Sequence, residues 1–154
     1  MKPRLLIVDD EQGVSELLAL YFEHCGFEVA TAQSESAARF LLRHHPFDLV
    51  IVDWNLGGTG DGLDLLNHIQ VMHPGLPAIV YTGADDPENL LAQALADKAE
   101  AVIRKNGPLA ALGGEVERIL ARSQGRRRDE RFLAAPPPQD RRSGRAGSSG
   151  VAAR

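Results

Sequence analysis

Four short apolar runs in this chain end abruptly in polar residues. Leu5–Val8 closes on Asp9 and Asp10, and Leu49–Val52 closes on Asp53. Ala78–Tyr81 closes on Thr82 and Gly83, and Ala101–Ile103 leads through Arg104 to Lys105. Each run is unbroken and shorter than a helix needs, which is the pattern of a strand buried on both faces. Phe27–Thr31 supplies a fifth strand. Stretches of helical period lie between the strands. Val14, Leu17, Leu18, Tyr21 and Cys25 form a core-facing stripe that Gly26 stops. A second helix starts at the N-cap Ser34, carries Ala37, Phe40, Leu41 and Leu42, and breaks at Pro46. A third covers about 62–72, ahead of the turn His73–Pro77. A fourth runs from a first-turn Pro87 to about Leu95. The last carries Leu109, Leu112, Val116, Ile119 and Leu120, and is expected to be the softest, because Gly113 and Gly114 each cost about 1 kcal/mol relative to Ala.

Five strands alternating with five helices predict an α/β fold: a doubly wound, five-stranded parallel sheet covered on both faces. One common strand order is the flavodoxin-like 2-1-3-4-5, with its ligand crevice at the C-terminal ends of strands 1 and 3. Those are the strands tipped by Asp9, Asp10 and Asp53, and Thr82 and Lys105 would flank the same crevice.

Charge divides the chain in two. Residues 1–122 hold 9 Lys and Arg against 18 Asp and Glu, and residues 123–154 hold 8 Arg against 3 Asp and Glu. The first segment is expected to be the folded domain. The second, with the runs 126–128 (RRR), 136–138 (PPP) and 143–150 (SGRAGSSG), holds too few large apolar residues to offset ordering entropy, and is expected to be a disordered tail. A basic tail could touch an acidic surface, but arginines without interleaved aromatics are a weak nucleic-acid signal, and no folded DNA-binding domain is expected within it. No apolar run approaches a membrane span, and the N-terminus enters a strand directly, so a cytoplasmic location is expected. The single cysteine, Cys25, excludes an intrachain disulfide and is expected to be buried in the first helix.

Asp53 needs an explanation, because a lone carboxylate ending a buried strand is costly. Capping the following helix is a role better placed for Thr59 or Asp61. Three carboxylates on one rim repel one another by roughly 4 kcal/mol per pair at 4 Å and an effective dielectric near 20, so the site calls for a cation or raised pKa values. Oxygen-only ligands select a hard ion such as Mg²⁺. Such a site prepares for phosphoryl transfer, with a carboxylate oxygen attacking in line while Lys105 neutralises phosphoryl oxygens and Thr82 donates a hydrogen bond. Glu11 reads as a first-turn charge at a helix start rather than a ligand. Trp54 is either a partner-facing aromatic or a packing residue. The glycine-rich loop at 57–62 lacks a nucleotide-cradling pattern, and the five histidines show no metal-ligand spacing.

Residues 5–11 (LLIVDDE), 48–56 (DLVIVDWNL) with the following Asp61 and Gly62, the strand ending in Thr82, and Lys105 after the fifth strand together resemble the receiver domain of bacterial two-component response regulators. The resemblance covers residues 4 to about 122. It implies that Asp53 is the phosphoacceptor, loaded by a histidine kinase or a histidine phosphotransfer protein. It also implies that Asp9 and Asp10 bind Mg²⁺ with Asp53 and the backbone carbonyl of Asn55, that Lys105 pairs with the carboxylate and then the phosphoryl group, and that Thr82 is the switch hydroxyl. The expected protein is a stand-alone receiver similar to the chemotaxis regulators. It would be a signalling switch that contacts a downstream protein, not an enzyme beyond its own phosphoryl transfer and autodephosphorylation. A phosphate-sink or shuttle receiver would use the same chemistry and differ in phospho-Asp53 lifetime and back-transfer. A small Mg²⁺-dependent phosphatase of the haloacid-dehalogenase type would need a second Asp where Asn55 stands. The chain departs from the family pattern at Gly57, where proline is usual, at Val102, where an aromatic often stands, and at Asn106, where proline usually follows the lysine.

Overall fold

A computed structural model describes residues 2–56, 62–83 and 98–134, with side chains to Arg126. The chain divides into two compact units, Met1–Ser123 and Gln124–Arg154. In the first, strands β1 (Arg4–Val8), β2 (Glu28–Ala32), β3 (Leu49–Val52), β4 (Ala78–Thr82) and β5 (Ala101–Arg104) form one parallel sheet in the order β2-β1-β3-β4-β5. The described helices are α1 (Gln12–His24), α2 (Glu35–His44), α3 (Gly62–Met72) and α4 (Leu109–Ala134). The helix expected over 87–95 lies outside the described residues, so four of the five expected helices are seen.

The central strands are apolar throughout because both of their faces are covered. All four residues of β3 and all five of β4 are buried. Alternation sends Leu5, Ile7, Leu49, Ile51, Ile79 and Tyr81 into a cluster with Leu18 and Phe22 of α1 and Leu112, Val116 and Ile119 of α4. It sends Leu6, Val8, Val50, Val52, Ala78 and Val80 into a second cluster with α2 and α3. The outer strands β2 and β5 are only half-buried.

The helices differ from the sequence expectation in three respects. In α1 the buried residues are Ser15, Leu18 and Phe22, while Leu17 is 55% exposed. The core-facing stripe is therefore rotated from the expected one, and Phe22 fills the space between Tyr21 and Phe27 in edge-to-face contacts. That rotation carries Cys25, at the C-cap, into solvent rather than into the core. In α2 the buried residues are Ala38 and Leu42, and Phe40 is exposed against His44. The third difference is length: α4 continues to Ala134, so residues 123–134 are helical where a tail was expected. The Ser34 cap holds, its hydroxyl accepting from the Ala37 amide at 3.2 Å. Gly26 ends α1 at φ 97°, a conformation that side chains disfavour.

Candidate functional site

The sheet order places the ends of β1 and β3 side by side, and the sequence tips both with acids. Their backbones are locked across the ladder. The Asp53 amide donates to the Val8 carbonyl at 2.8 Å, and the Asp9 amide donates to the Ala32 carbonyl at 3.0 Å. Asp9, Asp53 and Thr82 are buried polar residues, whereas Asp10 is exposed. Lys105 follows β5, and its amide donates to the Thr82 carbonyl at 2.9 Å, which fixes the start of the lysine side chain against the end of β4.

From there the ammonium reaches back across two strands. Lys105 Nζ lies 2.8 Å from Asp9 Oδ2, 3.2 Å from Asp53 Oδ2 and 3.7 Å from Glu11 Oε1. Asp9 Oδ1 accepts from the Glu11 amide at 2.9 Å, and the Asn55 amide approaches Asp53 Oδ1 at 3.4 Å. Of the residues singled out in the sequence, Asp9, Asp53 and Lys105 thus meet directly, and Asp10 lies in the same acidic cluster. Thr82 stands at the end of β4 beside it, and Asn55 two residues beyond Asp53.

Among the described residues, the one ammonium paired with these acids does not balance them. Burial pushes the Asp53 carboxyl up, the neighbouring Asp9 charge adds to that, and Lys105 and the Asn55 amide offset only part, leaving it at about 6. For Lys105, burial pulls downward, but the hydrogen bonds and charges of Asp9 and Asp53 prevail and hold its pKa above the ordinary lysine value. Carboxylate oxygens of Asp9, Asp10, Glu11 and Asp53 lie within 4.8 Å of one another. An all-oxygen donor set of this spacing and excess negative charge fits Mg²⁺, which takes one or two carboxylates and keeps waters.

Two residues that the sequence placed in the family motif, but gave no role at the site, contribute to it. Glu11, expected only at a helix start, joins the acid cluster and the Lys105 ion pairs. The acidic run 9–11 directly after a strand was the available signal. Gly62, the first residue of α3 and part of the Asp61–Gly62 pair noted in the sequence, packs on the backbone of Asp53 and Trp54. Trp54 is half-buried and packs against the α2–α3 cluster. Thr59, Asp61 and Gly57 lie outside the described residues.

A family model described as the response regulator receiver domain matches residues 5–117. Among characterised relatives, the response regulator protein PilR of Pseudomonas aeruginosa is 38% identical over 81 residues, 53% of this chain and 18% of PilR. The probable transcriptional regulatory protein TcrX of Mycobacterium tuberculosis is 32% identical over 88 residues, 57% of this chain and 37% of TcrX. The chain thus spans only a minor part of these relatives' length. Among solved structures, a CheY-like response regulator receiver domain protein from Methanospirillum hungatei superposes with a TM-score of 0.76 at 25% identity, covering 82% of this chain and 99% of that one. NtrX from Brucella abortus, in complex with ADP, superposes with a TM-score of 0.80 at 28% identity, covering 90% of this chain and 31% of NtrX.

Proposed function

The chain belongs to the response regulator receiver domain family, and from that premise we propose that it is a phosphorylation-dependent signalling switch that accepts a phosphoryl group on Asp53. The observation that carries this is the Lys105 ammonium spanning Asp9, just past the end of β1, and Asp53, just past the end of β3. The donor is a phosphohistidine on a histidine kinase or phosphotransfer protein. An Asp53 carboxylate oxygen attacks phosphorus, the new P–O bond forms as the P–N bond breaks, and the departing imidazole is left neutral or takes a proton from solvent. Asp9, Asp10, Asp53 and the Asn55 carbonyl would hold Mg²⁺, which when bound supplies positive charge to the phosphoryl oxygens. Lys105 is already within reach of Asp53 Oδ2 and pairs with the phosphoryl group after transfer. Thr82, at the end of β4, donates its hydroxyl to the same group.

Phosphorylation adds about −1.5 to −2 charges beside Lys105, and so redraws the Lys105 and Thr82 contacts that tie β4 to β5. The output is contact with a downstream protein. The test is incubation with Mg²⁺ and acetyl phosphate followed by intact-mass analysis. One added phosphoryl group is expected in the wild type and none in Asp53→Ala. Equal uptake by both proteins would refute the assignment.

A further inference from the structure

The start of α3 touches the acid-tipped end of β3 through one residue. The Gly62 amide is a first-turn amide without an intrahelical acceptor, and it donates to the Trp54 carbonyl at 2.7 Å. A Cβ on Gly62 would lie 2.7 Å from the Asp53 carbonyl oxygen, 3.0 Å from Trp54 Cα and 3.2 Å from the Trp54 carbonyl oxygen. All three atoms are backbone, so no side-chain rotation relieves the overlap. The helix cannot easily retreat, because Leu65, Leu66 and Ile69 anchor α3 in the core. The strand is held on its other side by the bond from the Asp53 amide to Val8. Displacement would therefore fall on the peptide joining Asp53 to Trp54. That peptide sets the aim of the Asp53 carboxylate and leads directly to Asn55.

We propose that Gly62 is a positioning residue of the acidic pocket: the bare Cα of α3's first residue, pressed on the Asp53–Trp54 peptide, fixes where the Asp53 carboxylate and the Asn55 carbonyl point. The part concerning phosphoryl transfer rests on Asp53 being the acceptor; the part concerning cation binding does not. Helix propensity alone favours Ala over Gly at position 62, so a loss on substitution separates the two effects. Because sub-ångström misplacement of a reacting group is costly in rate, Gly62→Ala is expected to slow phosphoryl uptake from acetyl phosphate about ten-fold. The loss should fall in the limiting rate rather than in the acetyl phosphate concentration needed. The Mg²⁺ half-saturation, read by fluorescence of Trp54, the single tryptophan, should rise several-fold. Gly114→Ala is the control, since a Cβ there meets nothing within 4 Å, and both readouts should stay within about two-fold of wild type. Gly62→Ala behaving like this control in both readouts would overturn the proposal. Should the wild type take no phosphoryl group, the acceptor assignment fails, and the Mg²⁺ half-saturation alone decides the role of Gly62. Should Gly62→Ala not fold, hydrogen exchange of the wild type decides: the Gly62 amide should be strongly protected by Trp54, and exchange as fast as that of a free first-turn amide would overturn the proposal.

Discussion

At the scale of single residues, the pocket is governed by Asp53, a buried carboxylate facing Asp9 and one shared ammonium. Its folded-state pKa of about 6 lies above that of an unfolded aspartate. A carboxyl that holds its proton more tightly when folded contributes stability that is full at low pH and is lost as pH rises through the folded value. The metal-free wild type should therefore lose stability relative to Asp53→Asn as pH rises from about 4 to about 6, measured as the difference in urea midpoint. A difference that moves the other way contradicts the pocket's charge imbalance. Lys105 opposes the rise at Asp53, so Lys105→Met should push the Asp53 pKa further above about 6. A carboxyl-carbon NMR titration reads this directly, and an unchanged or lower value would show that the ion pair contributes nothing.

At the scale of elements, the strands were legible and the faces of the helices were not. An unbroken apolar run such as Leu49–Val52 needs no phase, because both sides of a central strand are buried. A helix must choose a face, and in α1 the closely spaced apolar residues Val14, Leu17, Leu18, Tyr21 and Phe22 permit neighbouring choices. Packing decides in favour of Leu18 and Phe22, and the Phe22 ring meets both Tyr21 and Phe27 edge to face. Phe22→Ala should accordingly cost about 3–5 kcal/mol in denaturant unfolding, whereas Leu17→Ala should cost far less. The paired glycines of α4 also part company. A Cβ at Gly113 would meet the Tyr21 hydroxyl at 2.7 Å, while one at Gly114 is unobstructed. Gly114→Ala should stabilise by up to about 1 kcal/mol, and Gly113→Ala should gain less or lose. Equal gains would show that α1 and α4 do not approach closely through Gly113. The extension of α4 to Ala134 is not legible in the sequence, because its polar, arginine-rich stretch has no apolar stripe to mark a helix.

At the scale of the molecule, the site was legible because topology is. Polar tips on buried strands, read in order, specify which residues the 2-1-3-4-5 sheet brings together, and Asp9, Asp53 and Lys105 meet as that order requires. What chain order cannot carry is the detail of approach, such as the reach of Lys105 to Glu11 and the seat of Gly62 against the Asp53–Trp54 backbone. A cation held by this acidic cluster only in the folded state would couple to global stability, since at 100 times its Kd such an ion stabilises by about 2.7 kcal/mol. Asp10 is exposed, so Asp10→Ala should leave metal-free stability within about 0.5 kcal/mol of wild type yet abolish most of the Mg²⁺-dependent increment. An increment retained in full would remove Asp10 from the ligand set. The most direct trial of the whole account is to locate the phosphoryl group itself. After treatment with Mg²⁺ and acetyl phosphate, reductive trapping of the acyl phosphate and peptide sequencing should find the modification at Asp53, with loading slowed in Lys105→Met. A label found on Asp9, Asp10 or a histidine, with Asp53 unmodified, would contradict it.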